Sequence, residues 1–379
     1  LAVNRSNTYI LAQQISGAGT LEQLGTGRLS ITADNYDDTT SSGFTGAVTI
    51  DDGILGVYNN EALGTAAVSI DDARLEFGRA VSSFANDITL TGAATIGLDT
   101  TVEYLIVGGG GGGVNGYGGG GGAGGFREGS VQLATWSGDV AVGAGGQGIG
   151  NLTSGGSGNS GGDSAALGLT ALGGGGAGSY SGGTALTGGS GGGGGSSRSG
   201  AAGTEDQGNA GGTGYSGTSS LTTSGNLYQG GGGGGAATAG EDGKDGGAGG
   251  DGKESSITGV SQVYATGGGG GQWNRDSKVD SPGGSNNIHN NQGGYGAEAG
   301  GTAPANTGSG GGSAGGVGQG FSGTSGGGSG GSGIVVIRYL GGDATTATGS
   351  TNATGAAQVG TGTATGYTLH TFTATGSQT

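Results

Sequence analysis

The chain has no cysteine and no methionine, only two prolines in 379 residues, and 11 basic residues against 27 acidic ones. Without cysteine there is no disulfide framework and no thiolate chemistry. Two prolines exclude a collagen-type helix, which needs that residue in quantity. A formal charge of −16 makes nucleic acid and anionic membranes poor partners. No apolar run approaches the roughly 20 residues that span a bilayer. The chain opens mid-pattern at Leu1-Ala2-Val3, so it is expected to be a mature or excised piece of something longer. Leu, Ile, Val and Phe number 59, under a sixth of the chain. So low a share usually means disorder. Here the charge density is low, proline is scarce and the apolar residues are patterned, all of which argue for order.

The pattern lies in the first hundred residues. Apolar pairs recur at Leu29-x-Ile31, Val48-x-Ile50, Val68-x-Ile70 and Ile88-x-Leu90, with offsets of 19, 20 and 20. The text TGAVTIDDG from Thr45 returns as TAAVSIDDA from Thr65, and a second short strand follows each pair, as in Ile54-Leu55-x-Val57, Leu75-x-Phe77 and Ile96-x-Leu98. A period near 20 with alternating strands predicts stacked β-helix rungs, with Ile31, Ile50, Ile70 and Leu90 in one column. The segments GAGTLEQLGTGRLSI from Gly17 and EALGTAAV from Glu61 resemble the autotransporter-associated β-strand repeat over about residues 15–98. That resemblance implies a right-handed parallel β-helix on a bacterial surface or secreted protein, and brings no catalytic residue. The pairs Asp51-Asp52 and Asp71-Asp72 fall one repeat apart at a turn. They are candidate Ca²⁺ ligands, or simply solvated turn residues.

What the chain has in excess is glycine: 110 residues, most of them between Gly108 and Gly333. Glycine loses the most entropy on ordering and has no side chain to bury, so bare backbone must serve as packing material. Glycine falls at 240, 243, 246, 249 and 252, a period of three. This is the period of a polyproline-II helix, which makes no internal hydrogen bonds and must bond laterally. The expected fold is all-β and irregular, with almost no α-helix: β-helix rungs over 1–101, a polyglycine-II bundle over 102–340, and a Thr/Gly-rich linker and strand over 341–379. VEYLIV from Val102 and IVVIRY from Ile334 are expected to pair and close the bundle. With GGGGAGGFR from Gly119 and VAVGAGG from Val140, these flanks resemble the glycine-rich domain of phage tail-fibre and marine bacterial surface proteins. In texture the block is also similar to the polyglycine sandwiches of phage adhesin tips and to glycine-rich antifreeze proteins. The tail, GYTLHTFT from Gly366, looks like the strand that precedes such a domain and is expected to lead into a neighbouring module.

Catalytic signatures are absent or accidental. In so much glycine a GxGxxG match means nothing, and the phosphate-loop pattern fails because Asp245 and Glu254 follow Lys244 and Lys253. His289 and His370 stand in unrelated contexts, and Glu205-Asp206 and Glu241-Asp242 are expected to be solvated. The sequence therefore predicts a non-enzymatic extracellular or cell-surface structural module that needs no cofactor and forms or decorates a fibre, filament or sheath. Self-association is expected through Tyr9, Ile10, Leu369 and Phe372. An alternative is an adhesin whose low-glycine insertion binds a glycan or surface receptor through Trp273, Arg275, Lys278, His289 and Tyr295. A further alternative is ice binding.

Overall fold

The computed structural model describes every residue except 36–42, 79–80, 134–138, 151–154, 219–225, 246, 274–298, 316–325, 341–357, 360–366, 374 and 379. Residues 1–98 wind as a two-sheet solenoid. Strands β1 (Ala2–Val3), β3 (Thr20–Gln23), β5 (Ala47–Ile50), β7 (Ala67–Asp71) and β9 (Ile88–Thr91) form one parallel sheet. Strands β2 (Tyr9–Leu11), β4 (Arg28–Ile31), β6 (Ile54–Val57), β8 (Arg74–Phe77) and β10 (Thr95–Leu98) form the other. Alternation turns one set of side chains inward, where Leu29, Ile31, Ile50, Leu55, Ile70 and Leu75 are wholly buried. Replacing Ile70 by Ala should cost about 2–5 kcal/mol, since Ile50 and Leu90 on either side cannot close the gap. The shift in urea midpoint measures it.

The columns correct the expected register. Gln23, Ile50, Ile70 and Leu90 stack in the first sheet, whereas Ile31 stacks on Leu11 and Val57 in the second. The rung between Gln23 and Ile50 is seven residues longer than the next, and that excess hid the phase. Leu29-x-Ile31 thus belongs with Leu55-x-Val57, and the offset of 19 joined strands of different sheets. Gln23 takes an inward position by donating its amide to the carbonyls of Gly25 and Gly27 at 2.7 and 3.0 Å.

After the solenoid, β11 (Thr101–Val107) pairs antiparallel with β12 (Phe126–Gln132) on one side and with the strand Ile334–Leu340 on the other. The two segments flanking the glycine block therefore close it as expected. Tyr367–Phe372 adds to the far side of Ile334–Leu340.

The glycine block is a lattice of extended runs bonded sideways. Gly108 and Gly111 donate to Gly125 and Gly122, Gly109 and Gly112 to Gly162 and Asn159, and Gly110 and Gly113 to Gly331 and Gly328. All six bonds measure 2.8–3.0 Å. Carbonyls of the same run accept from Gly174 and Ala177, from Gly146 and Ile149, and from Gly311 and Ala314. Six neighbours surround one run, and the donor direction rotates every three residues. This is polyglycine-II geometry, and it satisfies the buried backbone without any ladder. The run 118–125 follows the same rule, donating in rotation to 172–178, 231–234 and 308–311. Contacts are too close for a side chain: a Cβ on Gly110 would sit 2.0 Å from the Ser309 carbonyl oxygen.

The triplet stretch at 240–252 is not one helix. A 3-10 turn at Gly243–Asp245 reverses the chain, so Glu241 N–H donates to the Ala248 carbonyl. Charged side chains can exist there because the turn is exposed, and they made a period visible that the pure glycine runs conceal. Among the described residues, no helix is long and apolar enough to cross a membrane.

Candidate interaction surfaces

The lattice has two unlike ends. One is built onto the β11 sheet. At the other, run 108–114 turns through 115–117 into the antiparallel run 118–125. Run 172–179 lies parallel to 108–114, since Gly174 and Ala177 pair with Gly109 and Gly112, and so it finishes at this same far end. The described flanks of 151–154, 219–225, 274–298 and 316–325 lie at this end. Tyrosines gather at this end: Tyr117 packs against Tyr180 with ring centres 4.4 Å apart and against Tyr228 at 5.5 Å. Burial, then the neighbouring Tyr180 hydroxyl, pushes the Tyr117 phenol up to about 12. Tyr180 remains 36% exposed. Trp273 enters on a two-residue strand whose backbone pairs with Tyr228. Of the expected binding-loop residues, Arg275, Lys278, His289 and Tyr295 lie outside the described residues.

The expected assembly residues separate. Tyr9 and Ile10 lie on β2, an outer strand of the solenoid. Leu369 and Phe372 lie on a strand that is paired within the chain along one edge, with Gln358–Val359 against Thr368 and Leu369 on the other. Their strand pairs with Ile334–Leu340 within the same chain, setting Leu369 opposite Arg338 and Phe372 opposite Val335, and Leu369 is buried. Val335–Leu340 offered a hydrogen-bonding edge, and this segment took it. His370, on the same strand, stacks on Tyr339, and burial lowers its pKa.

The turn carboxylates occupy one corner of the solenoid. Asp52 accepts from the Gly53 N–H, Asp71 from the Thr91 hydroxyl at 2.9 Å, and Asp72 from the Ala93 N–H at 2.6 Å. Asp71 and Asp72 thus brace the next turn, and no cluster of three or more metal-ligating side chains forms among the described residues. A cavity of about 200 Å³ lies beside β12, lined by Tyr104, Phe126, Arg127, Glu128, Asp206 and Lys253. Its two cations face two carboxylates, so it favours neither sign of charge.

One buried cluster gave no sequence signal. Arg28 on β4 forms ion pairs with Glu76 and, at 3.2 Å, with Asp99, and donates to the Tyr58 hydroxyl at 2.6 Å. Tyr58 in turn donates to Asp99. Burial alone would raise the Asp99 pKa; hydrogen bonds from Tyr58 and the Thr101 N–H, with the Arg28 charge, outweigh it and hold the carboxyl below its ordinary value. Asp99 also accepts at 2.9 Å from the N–H of Thr101, the first residue of β11. The cluster therefore sits at the joint between the solenoid and the closing sheet.

A sequence profile described as a glycine-rich domain matches residues 88–340, two thirds of the chain. The chain belongs to the glycine-rich domain family. No curated protein and no solved structure matches it. The glycine-rich domain match begins at the first residue of β9 and ends on the last residue of Ile334–Leu340. It thus takes in the final solenoid rung, the closing sheet and the whole lattice, including the tyrosine-bearing end.

Proposed function

We propose that this chain is a rigid, non-enzymatic structural module of an extracellular or cell-surface assembly, forming or decorating a fibre, filament or sheath. The carrying observation is the lattice. Its inner runs meet backbone to backbone on six sides, leaving no room there for side chains that could build a cleft, while the bonds give stiffness along its length. The resemblance of residues 15–98 to the autotransporter-associated repeat supports the surface location. A broad-specificity protease should leave a resistant core spanning 108–333, cut only within the far-end segments. Antibody against the chain should label intact cells of the source organism. Rapid cleavage inside the glycine runs, or labelling only after permeabilisation, would count against this function.

A second function, adhesion, is favoured by the tyrosine cluster Tyr117, Tyr180 and Tyr228 at the far end of the lattice. Partly exposed aromatic faces suit saccharides. Under it, the intact chain retains a glycan on an array, and Tyr180→Ala weakens that retention by at least tenfold while the thermal midpoint is unchanged. Unaltered retention in this variant would remove the tyrosines from the site.

A further inference from the structure

The last rung of the solenoid is open. Leu90, Ile96 and Leu98 continue the inward columns, yet they are 49%, 45% and 64% exposed, whereas Ile70 and Leu75 below them are fully buried. β9 and β10 are the terminal strands of their sheets, and no described strand pairs with their outer edges. Natural edges refuse partners by means of lysine, proline, inward charge or bulges. Neither Ile88–Thr91 nor Thr95–Leu98 contains a charge or a proline.

We propose that this rung is the docking surface for the first rung, β1 and β2, of a second copy of the chain, joined head to tail. The inference rests on the structural-module function and specifies how modules join. Three observations select this occupant. The first rung carries the same columns, so continued stacking sets Val3 over Leu90, Tyr9 over Ile96 and Leu11 over Leu98. Tyr9 is itself 37% exposed, and β1 and β2 are the other terminal strands of the same two sheets. The corner chemistry also agrees. Arg5, which bonds Asn7 and lies over the Tyr9 ring, follows β1 at the corner where Asp71 and Asp72 follow β7, so stacking places a cation on the acidic side of the joint. Parallel pairing at the register of β7 on β9 extends both sheets without a break. A heterologous contact of this kind repeats into an open filament, because each copy retains one free head and one free tail.

Mixing of two variants tests it. Leu98→Glu blocks the tail and Tyr9→Glu blocks the head; both sites are already solvent-accessible, and circular dichroism checks that each variant folds. In sedimentation velocity the 34.9 kDa wild-type chain should form species in multiples of its mass. Each variant alone should be monomeric, and their equimolar mixture should recover a two-chain species, because one intact head meets one intact tail. A monomeric wild type at high micromolar concentration overturns the proposal. So does Tyr9→Glu that still dimerises alone, which is tail-to-tail pairing, or assembly unchanged by both variants. A monomeric wild type that keeps its protease-resistant core would reject this joint and leave the structural function standing.

Discussion

Valine at position 121 should prevent the glycine lattice from forming. Gly121 lies in the run 118–125, and a Cβ there would stand 2.2 Å from the Gly111 carbonyl oxygen and 2.7 Å from its carbon. Backbone cannot swing aside as a side chain can. Separating the two runs would strain the Gly111–Gly122 hydrogen bond and those of the neighbouring runs. Overpacking alone costs about 1–3 kcal/mol, and each bond lost adds roughly 1 kcal/mol. Because this run is bonded to six others, the sum approaches the whole stability of a domain. Even Gly121→Ala should lower the denaturation midpoint sharply. Gly19→Ala is the control: nothing lies within 4 Å of its Cβ position, so the midpoint should hold or rise slightly. Equal effects at the two positions would mean that glycine is not needed for close approach.

The second large effect is expected at the joint. Arg28→Ala leaves Asp99, whose side chain is only 6% exposed, buried without its cation, while Glu76 keeps Arg74 at 2.6 Å. Removing one partner of a buried pair costs about 3–5 kcal/mol. The Asp99 carboxyl lies below its ordinary pKa in the fold, so its stabilisation is full above the unfolded value and is lost as pH falls through the folded value. Acid titration should therefore loosen this joint below about pH 4, and Asp99→Asn should remove that part of the pH dependence. A midpoint for Arg28→Ala within experimental error of wild type would show that the cluster is not coupled to folding.

How much of this was legible depended on what carried the signal. Alternation and the 20-residue period gave the rungs, because inward columns must be apolar. Register was lost at one place, where the lengthened rung before Ile50 let a strand of one sheet mimic a strand of the other. The lattice was legible from glycine, since bare backbone with almost no proline has few ways to satisfy itself. Its connectivity was not, because Gly108–Gly113 is chemically uniform and nothing in it tells one neighbour from another. The buried cluster was silent for a different reason. Arg28, Tyr58, Glu76 and Asp99 are 71 positions apart from first to last, and they meet only because stacking places their strands together. The strand Tyr367–Phe372 was recognised as a strand, but its partner could not be read, since an edge accepts any segment of suitable pattern. Cross-strand placement is three-dimensional information, and local patterning carries little of it.

Hydrogen exchange of the backbone amides tests the lattice most directly. If the glycine runs are laterally bonded in a three-residue rotation, the amides of Gly109–Gly113, Gly119–Gly125 and Gly230–Gly234 exchange as slowly as those of the buried solenoid strands β5 and β7. Protection should then include consecutive residues, because every amide in a run has a partner. Exchange of these glycines at the rate of an unstructured chain, or protection alternating residue by residue as at a β-sheet edge, would contradict the lattice.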